Sequence, residues 1–233
     1  ELMPIVEEIS KWTTVPIVVK ANAGLPDPVT NTYNVLPDEF ADTCKEMVKY
    51  GAKVLGGCCG TTPAYVAKLK EMVATVNASV VKKKPRQLAV CTPLKTVVVD
   101  QPRIVGERIN PTGKKRFKQA LRDNDMNYIL SQAIEQIDAG ADILDVNVGS
   151  PDIDEKEMMV KVIKALQAIV DVPLQIDSTK PEVLEAALRV YNGKPIVNSV
   201  NGEEEVLDTI LPIVAKYGGA VIGLALDENG IPP

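Results

Sequence analysis

Two adjacent thiols, Cys58 and Cys59, stand in Leu55-Gly-Gly-Cys-Cys-Gly-Thr-Thr-Pro63, where an apolar run gives way to the start of a helix. Side-by-side cysteines wrapped in glycine can hold zinc, since glycine lets backbone come close to a metal or ligand. Zinc keeps a substrate thiol as thiolate at neutral pH, where a free thiol is mostly protonated. The dipeptide alone is equally compatible with a buried strand end or a vicinal disulfide. A second set of residues follows: Glu107 and Asn110, Asp145 and Asn147, Asp177-Ser178-Thr179, and Asn198-Ser199. Each falls at the end of a predicted strand. Converging carboxylates and carboxamides suit a flat heterocycle with alternating donors and acceptors. A carboxylate can accept two hydrogen bonds from a 2-amino-pyrimidinone edge, and an amide can serve a ring nitrogen. Any one of these residues could simply cap the next helix; a succession in register argues for a site.

The elements that must carry these residues come from a repeated unit. Helical patterns end in glycine and pass into short apolar strands at Gly51 into Lys53–Leu55, Gly140 into Ile143–Val146, and Gly218 into Ala220–Leu224. Glycine supplies the positive φ that stops a helix, and continuously apolar strands are buried on both faces. Further strands are expected over Pro16–Lys20, Arg103–Val105, Pro173–Ile176 and Pro195–Val197. Helices are expected over Pro37–Lys49, Pro63–Val76, Asp125–Asp138, Asp154–Val170, Pro181–Val190 and Glu203–Lys216. Such alternation reads as α/β with a parallel sheet. Polar residues at the strand ends favour (β/α)8 TIM barrels over a doubly wound sheet.

The charge run Val80-Val-Lys-Lys-Lys-Pro-Arg86 marks a boundary, and the stretch after it lacks helical period. The expected organisation is a first domain over 1–80, an exposed linker over 81–100 and a second domain over 101–233. Neither part reaches the usual length of a whole barrel, so both are expected to be truncated, with open edges that pair with other copies or continue in a longer polypeptide. The 233 residues carry a net charge of −5, which gives no basic footprint for nucleic acid. No apolar run approaches membrane-spanning length and no signal-peptide pattern opens the chain. Four cysteines in this length make no disulfide framework. The cytoplasm is the expected compartment.

The segment GGCCGTTP, with Asn22-Ala-Gly-Leu-Pro26 after Pro16–Lys20, resembles the homocysteine S-methyltransferase family over about residues 1–80. That resemblance implies homocysteine as substrate and Cys58 and Cys59 as zinc ligands. The family's third cysteine would fall upstream of Glu1, and the chain has no histidine to replace it. The ordered set GERINPTG, LDVNVG, IDST, VNSV and VIGLALDENGIP resembles the pterin-binding methyltransferase domain over nearly all of 101–233. Dihydropteroate synthases share that barrel but open on Asn-Val-Thr-Pro, which is absent here.

The second resemblance implies methyltetrahydrofolate as methyl donor and cobalamin, carried by a corrinoid domain or protein outside these residues, as acceptor. It implies that Asp177 binds the pterin edge, that Asn198 lies near the methyl-bearing N5, and that Glu107, Asn110, Asp145 and Asn147 order the pocket. Asp177 and Asn198 are the implied catalytic pair. The two modules in this order imply methyl transfer from the folate through cobalamin to homocysteine. The alternatives are a corrinoid-dependent methyltransferase with another donor or acceptor, or an inactive fragment that retains weak pterin binding.

Overall fold

The computed structural model describes residues 2–77 and 87–231. Contacts divide the chain into two units, Glu1–Arg86 and Gln87–Pro233. The charge run at 80–86 lies outside the described residues.

In the first unit, α1 (Leu2–Trp12), β1 (Ile17–Ala21), α2 (Pro37–Lys49), β2 (Ala52–Gly57) and α3 (Pro63–Val73) follow one another. Pro37 and Pro63 sit at the first helical positions, where no backbone donor is needed. The strands β1 and β2 pair in parallel, with Val19 beside Leu55 and Ala21 beside Gly57. Ile17, Val19 and Ala21 point to one side and are buried with Phe40, Cys44 and Met47 of α2 and Tyr65 and Leu69 of α3. The helices expected from sequence do not include α1, in whose first turn Pro4 is tolerated.

The second unit opens with a hairpin, β3 (Ala89–Cys91) against β4 (Thr96–Val98). These residues differ from the exposed linker expected over 81–100. Val90 and Val97 are buried against Ile143 and Ile196, and Cys91 exchanges backbone hydrogen bonds with Lys194. An alternating pattern three residues long is too short to read as strand, so packing decides it.

Five parallel strands follow: β5 (Val105–Ile109), β6 (Ile143–Val146), β7 (Leu174–Asp177), β8 (Ile196–Val200) and β9 (Ala220–Gly223). They lie side by side in chain order. A doubly wound sheet would reverse that order at a switch point. The helices α4 (Lys115–Asp123), α5 (Met126–Asp138), α6 (Glu155–Ile169), α7 (Pro181–Val190) and α8 (Glu204–Tyr217) connect them. Asp125 caps α5 by accepting from the Tyr128 amide at 3.1 Å, and Asp154 caps α6 by accepting from that of Glu157 at 2.9 Å. Leu144, Val146 and Ile176 face the helices and are buried with Met159, Ile163, Leu166 and Leu184. Sequence reading misses α4, in which only Phe117, Ala120 and Leu121 are buried among charged residues. No helix among the described residues is long and apolar enough to cross a membrane.

Two strands extend further into polar sequence than apolar runs predict. β5 covers Val105–Ile109 rather than Arg103–Val105, and β8 runs on through Asn198 and Ser199 to Val200. Glu107 and Asn198 are therefore strand residues, not residues beyond a strand end. The register of β5 slips between Gly106 and Ile109. The buried Gln136 fills the slip, its Oε1 accepting from the Arg108 amide at 2.6 Å.

Gly106 makes that arrangement possible, since a Cβ there would stand 2.6 Å from Gln136 Oε1. Gly106→Ala is expected to displace Gln136 and leave the Arg108 amide without its acceptor. The expected loss is about 1–3 kcal/mol of unfolding free energy by chemical denaturation. An unchanged midpoint would show that the slip does not depend on Gln136.

Candidate active site

Side chains alternate across a strand, so residues two apart share a face. On β6 the face turned from the helices carries Ile143, Asp145 and then Asn147. Asp145 is in register with Gln175, and Asp177 with Asn198. The inward face thus starts apolar, where the hairpin valines cover Ile143 and Ile196, and becomes polar one step higher.

The polar step carries two sets of hydrogen bonds, one on Asp145 and one on Asp177. Gln175 Nε2 donates to Asp145 Oδ1 at 2.6 Å, and Asn198 Nδ2 donates to the same oxygen at 3.3 Å. Asp145 is only 3 % exposed and Gln175 is 8 % exposed. One step higher, Asn147 Nδ2 donates to Asp177 Oδ2 at 2.9 Å, while Asn147 Oδ1 accepts from the Gly149 amide at 2.8 Å. Burial pushes the Asp145 carboxyl up to about 6, against the Gln175 and Asn198 donors and aided by the Asp177 and Glu107 charges. Asp177 is also raised, first by burial, with Asn147 opposing and Glu107 and Glu155 adding to the rise.

The remaining expected residues take outer places. Glu107 is exposed, and its carboxylate pairs with Lys114 Nζ at 2.9 Å. Asn110 is buried, and its Oδ1 accepts from the Thr112 amide at 2.8 Å, shaping the turn after β5. The structure therefore pairs Asp145 with Asn198 and Asp177 with Asn147 by hydrogen bonds, with Glu107 near enough to act on both aspartates. Sequence reading missed Gln175, although a lone amide in an otherwise apolar strand, two residues before Asp177, was a legible signal. It also missed Glu155, which accepts from Ser178 Oγ at 2.6 Å and pairs with Lys180 at 2.9 Å.

In the first unit the end of β1 fixes the thiol loop. The Cys58 amide donates to the Ala21 carbonyl at 2.8 Å, the Cys59 amide to Asn22 Oδ1 at 3.0 Å, and the Ala23 amide to the Cys59 carbonyl at 2.9 Å. Gly60 takes φ +77, and a Cβ there would lie 2.3 Å from Tyr33 Cγ, so the Tyr33 ring packs directly on the loop. Cys58 and Cys59 are free, exposed thiols with their sulfurs 4.0 Å apart. They are neither a buried strand end nor a disulfide. Zinc sites use three or four protein ligands, and among the described residues no group of three His, Cys, Asp or Glu could hold a metal. Cys44 is buried, and that burial pushes its thiol up to about 11. The residues present fit two corners of a zinc site and do not complete one.

Residues 106–230 match the family model described as pterin binding enzyme, and residues 1–73 match that of homocysteine S-methyltransferase. A methionine synthase of Mycobacterium tuberculosis is 31% identical over 99% of this chain, which spans 20% of that relative's length. Among solved structures, the dihydropteroate synthase of Thermus thermophilus is 26% identical with a TM-score of 0.40, over 57% of this chain and 44% of that one. The Yersinia pestis dihydropteroate synthase is 19% identical with a TM-score of 0.44, over 60% of this chain and 48% of that one.

Two outcomes are expected. Metal analysis of the purified 233-residue chain should find zinc held weakly and well below one per chain, because two thiolates leave coordination mostly to water. One tightly held zinc per chain would require further ligands from this sequence. The second concerns Asp145, whose folded-state value of about 6 lies above that of an unfolded aspartate. Its contribution to stability is complete below about pH 4 and is lost as pH rises through about 6. Wild type should therefore lose roughly 1–2 kcal/mol relative to Asp145→Asn between pH 4 and 7. Parallel pH profiles from chemical denaturation would contradict the raised carboxyl.

Proposed function

The chain belongs to the pterin-binding enzyme family through residues 106–230, and on that premise we propose that it is part of a cobalamin-dependent methionine synthase. In this reading the enzyme moves the N5-methyl of methyltetrahydrofolate, through a corrinoid carried outside these residues, to homocysteine. The observation that carries the reading is the order of the two matches: homocysteine S-methyltransferase over 1–73 precedes pterin binding over 106–230 in one chain. The five-stranded sheet is proposed as an arc of a (β/α)8 barrel, supported by its strands lying in chain order. The paired β1 and β2 are proposed as an arc of another, supported by Val18 and Val54 being exposed on the face turned from the helices. Residues 1–80 form the homocysteine module and 101–233 the pterin module, in the cytoplasm.

The chemistry assigned to the second module follows from leaving-group strength. A methyl on neutral N5 is a poor electrophile, because its departure leaves an unstable amide-like anion. Protonated N5 departs as a neutral amine. Asp177, whose Oδ2 accepts from Asn147, retains acceptor capacity for the amino-pyrimidinone edge. Asn198 is assigned to N5, where favouring the protonated nitrogen over the neutral one stabilises the transition state selectively. Asp145 and Asn147 hold these two in place, and Glu107 and Asn110 shape the rim. A corrinoid presented to this site from outside these residues would supply the nucleophile that accepts the methyl group. In the first module Cys58 and Cys59 are assigned as two of the thiolate ligands of a zinc site, with homocysteine as the substrate there.

Isothermal titration of the chain with methyltetrahydrofolate should show binding; none would overturn the pterin assignment. Asp177→Asn should weaken that binding about 10- to 100-fold, the equivalent of a lost charge-assisted acceptor worth roughly 1.5–3 kcal/mol. In the intact enzyme, Asn198→Ala should slow methyl transfer more than it weakens folate binding. Equal losses in rate and affinity would leave Asn198 a binding residue only.

A further inference from the structure

Asp177 closes β7, and the residues just after it decide where its carboxylate points. Side chains alternate along a strand, so Asp177 on the inward face is followed by Ser178 turned the other way, toward the start of α6. Ser178 is only 3 % exposed, and its hydroxyl is used in both senses. It donates to Glu155 Oε1 at 2.6 Å and accepts from the Lys180 amide at 3.2 Å. The Ser178 amide donates to the Asn198 carbonyl at 3.2 Å. Backbone thus ties the end of β7 to β8, and one hydroxyl ties it to α6.

Glu155 is the first residue of α6, yet its side chain is only 9 % exposed. A buried carboxylate is costly unless donors meet it. Both of its donors, the Ser178 hydroxyl and Lys180 Nζ at 2.9 Å, belong to the turn that follows Asp177. The connection from β6 to α6 that ends at Glu155 also carries Asn147, which donates to Asp177 Oδ2 at 2.9 Å. A Cβ on Gly149 would stand 3.2 Å from Asn147 Oδ1 and 3.8 Å from the Glu155 carboxyl carbon, so the two supports lie side by side. Asn147 meets the Asp177 carboxylate itself, and Glu155 meets the residue behind it.

We propose that Glu155 is a positioning residue for Asp177: by accepting from Ser178 and pairing with Lys180 it locks the turn after β7, and so aims the Asp177 carboxylate at the mouth of the sheet. This inference rests on the pterin reading of the site, in which Asp177 is the acceptor. Glu155 touches no substrate in this role, and its effect passes through Ser178.

The test measures methyltetrahydrofolate affinity of the full chain by isothermal titration, beside the midpoint of chemical denaturation. Glu155→Leu removes both acceptor oxygens at similar bulk and should weaken binding about tenfold. Glu155→Gln gives up the Lys180 pair but keeps an oxygen for the Ser178 hydroxyl. It should bind within about threefold of wild type. Ser178→Ala should cost about as much affinity as Glu155→Leu, and the two together no more than either, because both break one link. A merely structural role would lower the denaturation midpoint in both Glu155 variants and leave the affinity of the folded protein at the wild-type level. Should Glu155→Leu fail to fold, Ser178→Ala set against Glu155→Gln makes the same comparison. Wild-type affinity in Glu155→Leu or in Ser178→Ala, or equal losses in Glu155→Leu and Glu155→Gln, overturns this inference alone. A wild-type chain that binds no folate overturns the functional reading and this inference with it.

Discussion

A carboxylate buried to within 3 % of complete exclusion is the constraint around which the second unit is built. Asp145 sits on the central face of a parallel sheet, directly above the apolar layer of Ile143 and Ile196. An ion there is costly unless donors meet it. Two amides do so, one from each of the next two strands, and both can reach only if β6, β7 and β8 keep their register. On the opposite face Leu144, Val146 and Ile176 pack on the helices, and a one-residue slip would bring them inward. Packing outside and hydrogen bonding inside thus specify the same alignment. The hairpin completes the arrangement from below, since Val90 and Val97 cover the apolar layer that the polar one rests on.

The thiol loop of the first unit follows the same logic with backbone in place of side chains. A loop carrying two exposed cysteines has no core of its own, so the end of the neighbouring strand holds it through amide and carbonyl groups at Ala21 and Ala23 and through Asn22 Oδ1. Thr61 Oγ1 adds a bond to the Cys58 carbonyl at 2.7 Å. Gly57 and Gly60 leave room for Thr61 and Tyr33, which a Cβ at either position would strike. Gly57 and Gly60 are therefore explained by packing of this chain, whatever the thiols hold, whereas an added Cβ at Gly56 would meet nothing within 4 Å.

Much of this was legible in the sequence. Helices with a proline or aspartate at the start and a glycine just past the end, such as α2 and α5, were read within a few residues, as was α6 from its aspartate cap. So were the strands with continuous apolar runs, β6 and β7. The misses share a physical origin. Strand β5 carries Glu107 and Arg108, and β8 carries Asn198 and Ser199; their strand state comes from pairing with neighbours rather than from apolar character. The hairpin was missed because its burial depends on residues far away in sequence. Asp145, Asn147, Asp177 and Asn198 stood out as polar residues at predicted strand ends. Gln175, a lone amide in an apolar strand, offered a signal too, but sequence alone cannot tell which neighbour it meets.

The placement of charge explains which carboxylate is left for a ligand. Four acidic side chains approach the polar end of the sheet, and an unbalanced group of that size would repel itself. The two at the rim have cations: Glu107 pairs with Lys114, and Glu155 with Lys180. The two on the inward face have amides instead. Asp145 spends one oxygen on Gln175 and Asn198 together, deep enough that it orients neighbours rather than meets solvent. Asp177 stands one step higher, less buried, with an amide donor on one oxygen. The Asn147 donor opposes the burial that raises the Asp177 carboxyl, and it occupies one of the two oxygens at the point where the sheet opens. Asn147 thus aims the Asp177 carboxylate, while the rim cations stay engaged with Glu107 and Glu155. Cations at the rim and amides within divide the four carboxylates between two kinds of partner.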